Sequence, residues 1–149
     1  MPPLPPLPPS PTPLASPAAT AAAAASLAAC LEDGAVLALH GDLGSGKTVF
    51  TRGLAHALGI TEPITSPTFA LVHEYQGPRG RFYHLDLYRL ERPEQALSLG
   101  LDEFLGQPGT ITVIEWADRL AGQLPPGHIE VRLQHLGGRR RGLAWARHT

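Results

Sequence analysis

The chain has 149 residues, of which 12 are basic and 13 acidic, giving a formal net charge of −1. That length supports one domain with a single core, and the charge balance excludes a strongly electropositive nucleic-acid binder acting alone. Cys30 is the single cysteine, which excludes an internal disulfide.

The first thirteen residues read MPPLPPLPPSPTP. So many prolines remove the donors that helices and ladders need, so residues 1–15 are expected to be a polyproline II or disordered tail, with the folded domain at 16–149. No basic residue precedes an apolar run, so no secretory signal is read. The alanine tract from Ala18 to Ala29 is too short and too weakly apolar to span a bilayer. A cytoplasmic protein without membrane contact is expected.

Ser16-Pro17 has the form of an N-cap followed by proline at the first helical position. The alanine-rich stretch then propagates as helix to Leu31, with Leu27, Cys30 and Leu31 as its apolar stripe and Cys30 facing the core. Ala35–Leu39 is a short, continuous apolar run, the pattern of a strand buried on both faces. Residues 47–58 predict a helix with Val49, Phe50, Leu54 and Leu58 inward and Gly59 as its stop. Phe69–Tyr75 and Phe82–Leu87 predict a hairpin across the Gly77-Pro78 turn. Helical pieces follow at 92–99 and 101–105. Thr110–Ile114 is a β-branched strand. Residues 116–124 predict a helix that stops at Pro125-Pro126. His128–Leu133 and Leu143–Ala146 predict a last hairpin around Gly137-Gly138. The alternation gives an α/β P-loop NTPase domain with a mixed parallel and antiparallel sheet flanked by helices.

The chemistry concentrates at Gly41-Asp42-Leu43-Gly44-Ser45-Gly46-Lys47-Thr48, which matches G-x-x-x-x-G-K-T between a strand and a helix. Glycines let backbone N–H groups curl closely around a phosphate, and the helix start adds its positive dipole end. Lys47 is the one lysine among twelve basic residues. Its compact ammonium suits clustered phosphates where a planar guanidinium would not fit. The glycine amides, Lys47 and the Val49 amide are therefore the expected phosphate-binding groups, with the Thr48 hydroxyl on magnesium.

Such a site needs a carboxylate near the metal at the end of a neighbouring strand. Asp86 and Glu115 both qualify. Either could hold the magnesium, with the other orienting or deprotonating the attacking water. Ser66 and Thr68 lie where a γ-phosphate-sensing switch would sit. His84 stands beside Asp86, at a strand position where packing or a hydrogen bond is the ordinary role of a histidine.

These pieces together closely resemble the TsaE family, also called YjeE, of bacterial ATPases in tRNA threonylcarbamoyladenosine biosynthesis. The matching stretches are GDLGSGKTVFTRGLAHALGI, SPTFALVHEY, HLDLYRL and IEW, in the family's order. The resemblance implies that Gly44 to Val49 hold the phosphates of ATP and that Thr48 and Glu115 bind Mg2+. It makes Asp86 the residue required for hydrolysis, alongside Lys47, and Ser66 to Thr68 a mobile switch. Trp116 would flank the site, and Gly138-Arg139 would be the late Gly-Arg pair that brings Arg139 to the nucleotide. It also implies work with the TsaD and TsaB proteins, contact with tRNA only through that complex, and slow hydrolysis alone. One departure is the lack of an acidic residue in Ser16–Thr20, where such proteins often carry one near the adenine. No N-K-x-D motif is present, which favours ATP over GTP. Two other readings fit the same loop: a small-molecule kinase using Arg79, Arg81, Arg89 or Arg92, and a nucleotide-dependent binding module without significant turnover.

Overall fold

A run of apolar residues long enough for one sheet crossing, with no polar side, has to be covered on both faces. Val36–Leu39 is such a run, and in the computed structural model it lies in the central strand, β2 (Val36–His40). The structure describes residues 12–42, 45–65, 72–88, 92, 94–95, 100–101, 105–120 and 124–148. The other elements are β1 (Thr12–Leu14), α1 (Pro17–Ala28), α2 (Lys47–Ala57), β3 (Val72–Gly77), β4 (Gly80–Asp86) and β5 (Thr110–Glu115). A 3₁₀ turn (Ala117–Leu120) and the long hairpin β6 (Ile129–Gly137) and β7 (Arg140–Arg147) complete them.

The strands form one sheet in the order β1-β7-β6-β2-β5-β4-β3. β2 runs parallel to both β5 and β6, β4 runs parallel to β5, and the β3/β4 and β6/β7 hairpins are antiparallel. The sheet is therefore mixed, as the sequence predicts. α1 and α2 cover one face, where Leu27, Phe50 and Leu54 pack on Leu37, Leu39 and Val113. On the other face Leu87, Leu101 and Leu120 pack on Ala38, Leu85 and Ile114. The alternation of β5 thus sends Ile111 and Val113 to the helical side, and Glu115 with them.

Several boundaries differ from the sequence reading. The domain begins before residue 16, because Thr12–Leu14 pairs antiparallel with Arg141–Leu143 and Leu14 packs on the larger core. Pro13 is tolerated there because β1 is an edge strand. Residues 1–11 lie outside the described ones. α1 ends at Ala28 rather than Leu31. The Arg79 guanidinium caps this end, donating to the carbonyls of Ala28 (3.0 Å) and Leu31 (2.8 Å). Cys30 falls beyond the helix and is half-buried instead of facing the core. In place of a helix over 116–124, the described residues show only the 3₁₀ turn. Trp116 has φ of +61°, so it is not itself a residue of a right-handed helix. Of the expected helix at 92–99, Glu94 and Gln95 are helical and residues 93 and 96–99 lie outside the described ones.

α1 and α2 approach closely because α2 carries Gly53 at the contact. A Cβ there would lie 2.8 Å from Ala21 Cα and 3.1 Å from Ala21 O. Gly53→Ala should therefore destabilise the fold by about 1 kcal/mol, because overpacking against rigid backbone outweighs the gain in helix propensity. Urea denaturation measures this. A more stable variant would mean that the helices part without cost.

Candidate functional site

α2 begins without a cap of its own. Its N-cap is Gly46 at φ +101°, with no side-chain hydrogen bond and no acidic residue in the first turn. The first bond back into the loop is Phe50 N–H to Gly46 O at 2.9 Å. The amides of Lys47, Thr48 and Val49 accordingly have no carbonyl partner within their own helix. Two glycines shape this turn. Gly46 adopts a left-handed conformation that a side chain would strain. At Gly41 a Cβ would lie 2.4 Å from Ser45 Oγ and 2.7 Å from Leu133 O. Ser45 N–H bonds Asp42 O at 3.0 Å, and the fully buried Ser45 hydroxyl has no hydrogen-bond partner among the described residues. Leu43 and Gly44 lie outside the described residues.

This turn opens into a cleft of about 700 Å³ lined by Asp42, Gly46, Lys47, Thr48, Val49, Asp86, Tyr88, Glu115, Trp116 and Arg141. The size falls in the usual range for small-molecule sites, roughly 300–1,000 Å³. The cleft lies at the carboxyl ends of β2, β4 and β5, where open α/β sheets place their ligands. Asp86 and Glu115 are register partners across β4 and β5, so the two carboxylates enter the cleft side by side. Asp86 Oδ1 accepts from Tyr88 N–H at 3.0 Å, an Asx turn that fixes the exit from β4. Glu115 is buried; its Oε2 lies 2.6 Å from His84 Nε2 and its Oε1 4.0 Å from Lys47 Nζ. The Lys47 ammonium also stands 5.0 Å over the Trp116 ring, a cation–π contact. Tyr88 packs against that ring at a tilt, with centroids 5.1 Å apart.

The structure thus gathers Lys47, Thr48, Val49, Asp86, Glu115 and Trp116, with Ser45 and Gly46 forming the turn beneath. Ser66 and Thr68 lie outside the described residues. Arg139 is not brought to the cleft, because it sits exposed in the turn between β6 and β7. Arg141 takes that position instead, with its side chain over Gly46 and its Nη1 donating to the carbonyls of Gly138 (2.9 Å) and Arg140 (3.0 Å). The sequence reading missed the His84–Glu115 bond. The signal was the two-residue spacing of His84 and Asp86, which sends both to one face of β4.

Beside the loop, His40 at the end of β2 and His128 both hydrogen-bond the Glu130 carboxylate, the latter at 2.8 Å. Burial pushes the Glu130 carboxyl up, but the His128 bond and the charge and bond of His40 outweigh it, and its pKa is lowered. A lowered carboxyl contributes stability that is present above its unfolded value and lost as pH falls through the folded one. Glu130→Gln should therefore be less stable than the parent at pH about 5.5, with the gap closing below pH about 4. Urea denaturation across that range checks it, and a gap that widens with acid would contradict the assignment.

A nucleotide-sized cleft, a glycine turn at an uncapped helix start, one lysine and two strand-end acids define an α/β domain of the P-loop class. The chain belongs to the TsaE family: the model described as "Threonylcarbamoyl adenosine biosynthesis protein TsaE" matches residues 14–142. It is 40% identical to a protein of Bacillus subtilis named "tRNA threonylcarbamoyladenosine biosynthesis protein TsaE", covering 79% of this chain and 73% of that one. It is 47% identical to the protein of that name from Nostoc, over 73% and 68% of the two chains. The crystal structure of Bacillus subtilis YdiB superposes with a TM-score of 0.73 at 35% identity, covering 91% of this chain and 82% of that one.

Proposed function

We propose that this chain is a Mg2+-dependent ATP hydrolase, slow by itself, that assists TsaD and TsaB in forming N6-threonylcarbamoyladenosine in tRNA beside the anticodon. The observation that carries the reading is the start of α2, where amides without intrahelical partners and one ammonium face a cleft with two carboxylates. Membership of a family named for threonylcarbamoyladenosine biosynthesis supports the biology. Contact with tRNA is indirect, through the complex. The site of action is the cytoplasm. Among the described residues no helix is long and apolar enough to cross a membrane.

In this reading the backbone amides from Gly44 to Val49 hold the phosphates of ATP, and Lys47 bonds the β- and γ-oxygens. On binding, the ammonium leaves its contacts with Glu115 and Trp116 for the phosphates. Among the described residues no group of three or more His, Cys, Asp or Glu gathers to hold a metal alone. A donor set of one hydroxyl, from Thr48, and one carboxylate, from Glu115, instead suits a magnesium ion that takes its remaining ligands from phosphate and water. Held there by Thr48 and Glu115, a magnesium ion would supply positive charge against that developing on the phosphate oxygens. Asp86, beside Glu115 on the neighbouring strand, orients the attacking water and accepts its proton. Trp116 and Tyr88 wall the cleft, and Arg141 approaches from the β6–β7 side. Ser66 and Thr68 would sense the γ-phosphate. The kinase alternative loses one of its acceptor arginines, because Arg79 is engaged at the end of α1.

Release of free phosphate from ATP, with no phosphorylated acceptor, tests the reaction. Lys47→Ala should abolish it while leaving the fold intact by circular dichroism. Asp86→Asn should abolish release yet keep nucleotide binding, followed by Trp116 fluorescence. Normal turnover in Lys47→Ala would sink the proposal. Recovery of TsaD and TsaB with tagged protein in the presence of ATP tests the partners, and their consistent absence would count against them. Between the two arginines, Arg141→Ala should weaken nucleotide binding roughly tenfold, the loss of one charge-assisted contact, and Arg139→Ala should leave it unchanged. Equal titrations of the two would contradict the placement.

A further inference from the structure

We propose that His84 is a positioning residue that fixes the Glu115 carboxylate so that only its Oε1 is offered to the metal. The inference rests on the magnesium role given to Glu115 above and adds a residue to it. His84 is 2% exposed and lies on β4, one strand away from Glu115. Its Nε2 is 2.6 Å from Glu115 Oε2. An ionised carboxylate only accepts, so Nε2 carries the proton and donates. The other nitrogen, Nδ1, is buried with no hydrogen-bond partner among the described residues. That suits an unprotonated ring nitrogen, because a second N–H enclosed there would lack an acceptor.

The consequence is geometric. Oε2 is occupied from the sheet side. Oε1 is left facing Lys47 at 4.0 Å across the cleft. A free glutamate in a strand-end position samples several rotamers, and holding one of them before the metal arrives removes that freedom from the binding step. Backbone alone does not supply this. The register of β4 and β5 sets where Glu115 starts, and the imidazole sets where its carboxylate ends. Partners of this kind behind a metal-binding group typically alter metal affinity or activity by about ten- to a hundredfold when lost. His84 is buried behind Glu115 and is not one of the residues that line the cleft, so its effect passes through Glu115.

Two variants separate positioning from packing. His84→Leu keeps bulk and removes the donor. His84→Gln keeps an amide N–H close to the place of Nε2. The measurement is the Mg2+ concentration at half-maximal phosphate release at saturating ATP, beside the affinity for ATP in EDTA read from Trp116 fluorescence. His84→Leu should raise the Mg2+ midpoint about ten- to a hundredfold with metal-free ATP affinity unchanged, and His84→Gln should restore most of the loss. An unchanged midpoint in His84→Leu would overturn the inference, as would equal loss in both variants accompanied by lower thermal stability. Parent protein that needs no Mg2+, or binds no ATP, would refute the function proposed for the site. Glu115→Gln separates the cases further: with His84 intact it should raise the Mg2+ midpoint at least as far as His84→Leu does, and an unchanged midpoint would refute the metal role given to Glu115.

Discussion

The site depends on a helix start that the chain does not close for itself. α1 and α2 show the contrast within one molecule. α1 is capped by Ser16, whose Oγ accepts from Ala19 N–H at 3.2 Å, and has proline at its first position. α2 begins at left-handed Gly46 with no side-chain cap and no acid in its first turn. The first amides of a helix need partners, and the dipole there favours negative charge. In the proposed function those partners are phosphate oxygens, so the ligand takes the place that Ser16 fills for α1.

The rest of the fold holds groups of fixed charge around that start. Parallel pairing of β4, β5 and β2 brings Asp86 and Glu115 to the same level as the end of β2, from which the loop departs. Burial of both sheet faces keeps this register, since a one-residue slip would turn Val113 away from the helices and Ile114 toward them. Around the ammonium, Glu115 and Trp116 supply a charge and a ring face. Both contacts are replaceable by a polyphosphate.

The phosphate loop was legible because its information is local: eight consecutive residues specify turn, helix start and charge. The central strand and both acids were legible for a related reason, since a short apolar run ending in an acid names a strand and its exit. What the sequence hid was set at long range. Arg79 reaches α1 from 51 residues away, and His84 meets Glu115 across 31. Neither pairing leaves a periodic trace. The three arginines at 139–141 were ambiguous because side-chain direction in a hairpin depends on register. A shift between His135 and Gly137 leaves Arg139 in the turn and turns Arg141 toward the helical side. The proline run likewise gave no sign that its last residues pair with β7, because an edge strand asks little of its sequence.

The central claim is that the N-terminal turn of α2 receives a polyphosphate together with magnesium. A crystal structure of the protein grown with Mg2+ and a non-hydrolysable ATP analogue tests it most directly. The account predicts the β-phosphate enclosed by the amides of the 44–49 turn, with the metal between the Thr48 hydroxyl, Glu115 Oε1 and the phosphate oxygens. Phosphates bound elsewhere on the sheet, or a turn that stays empty at saturating analogue, would contradict it.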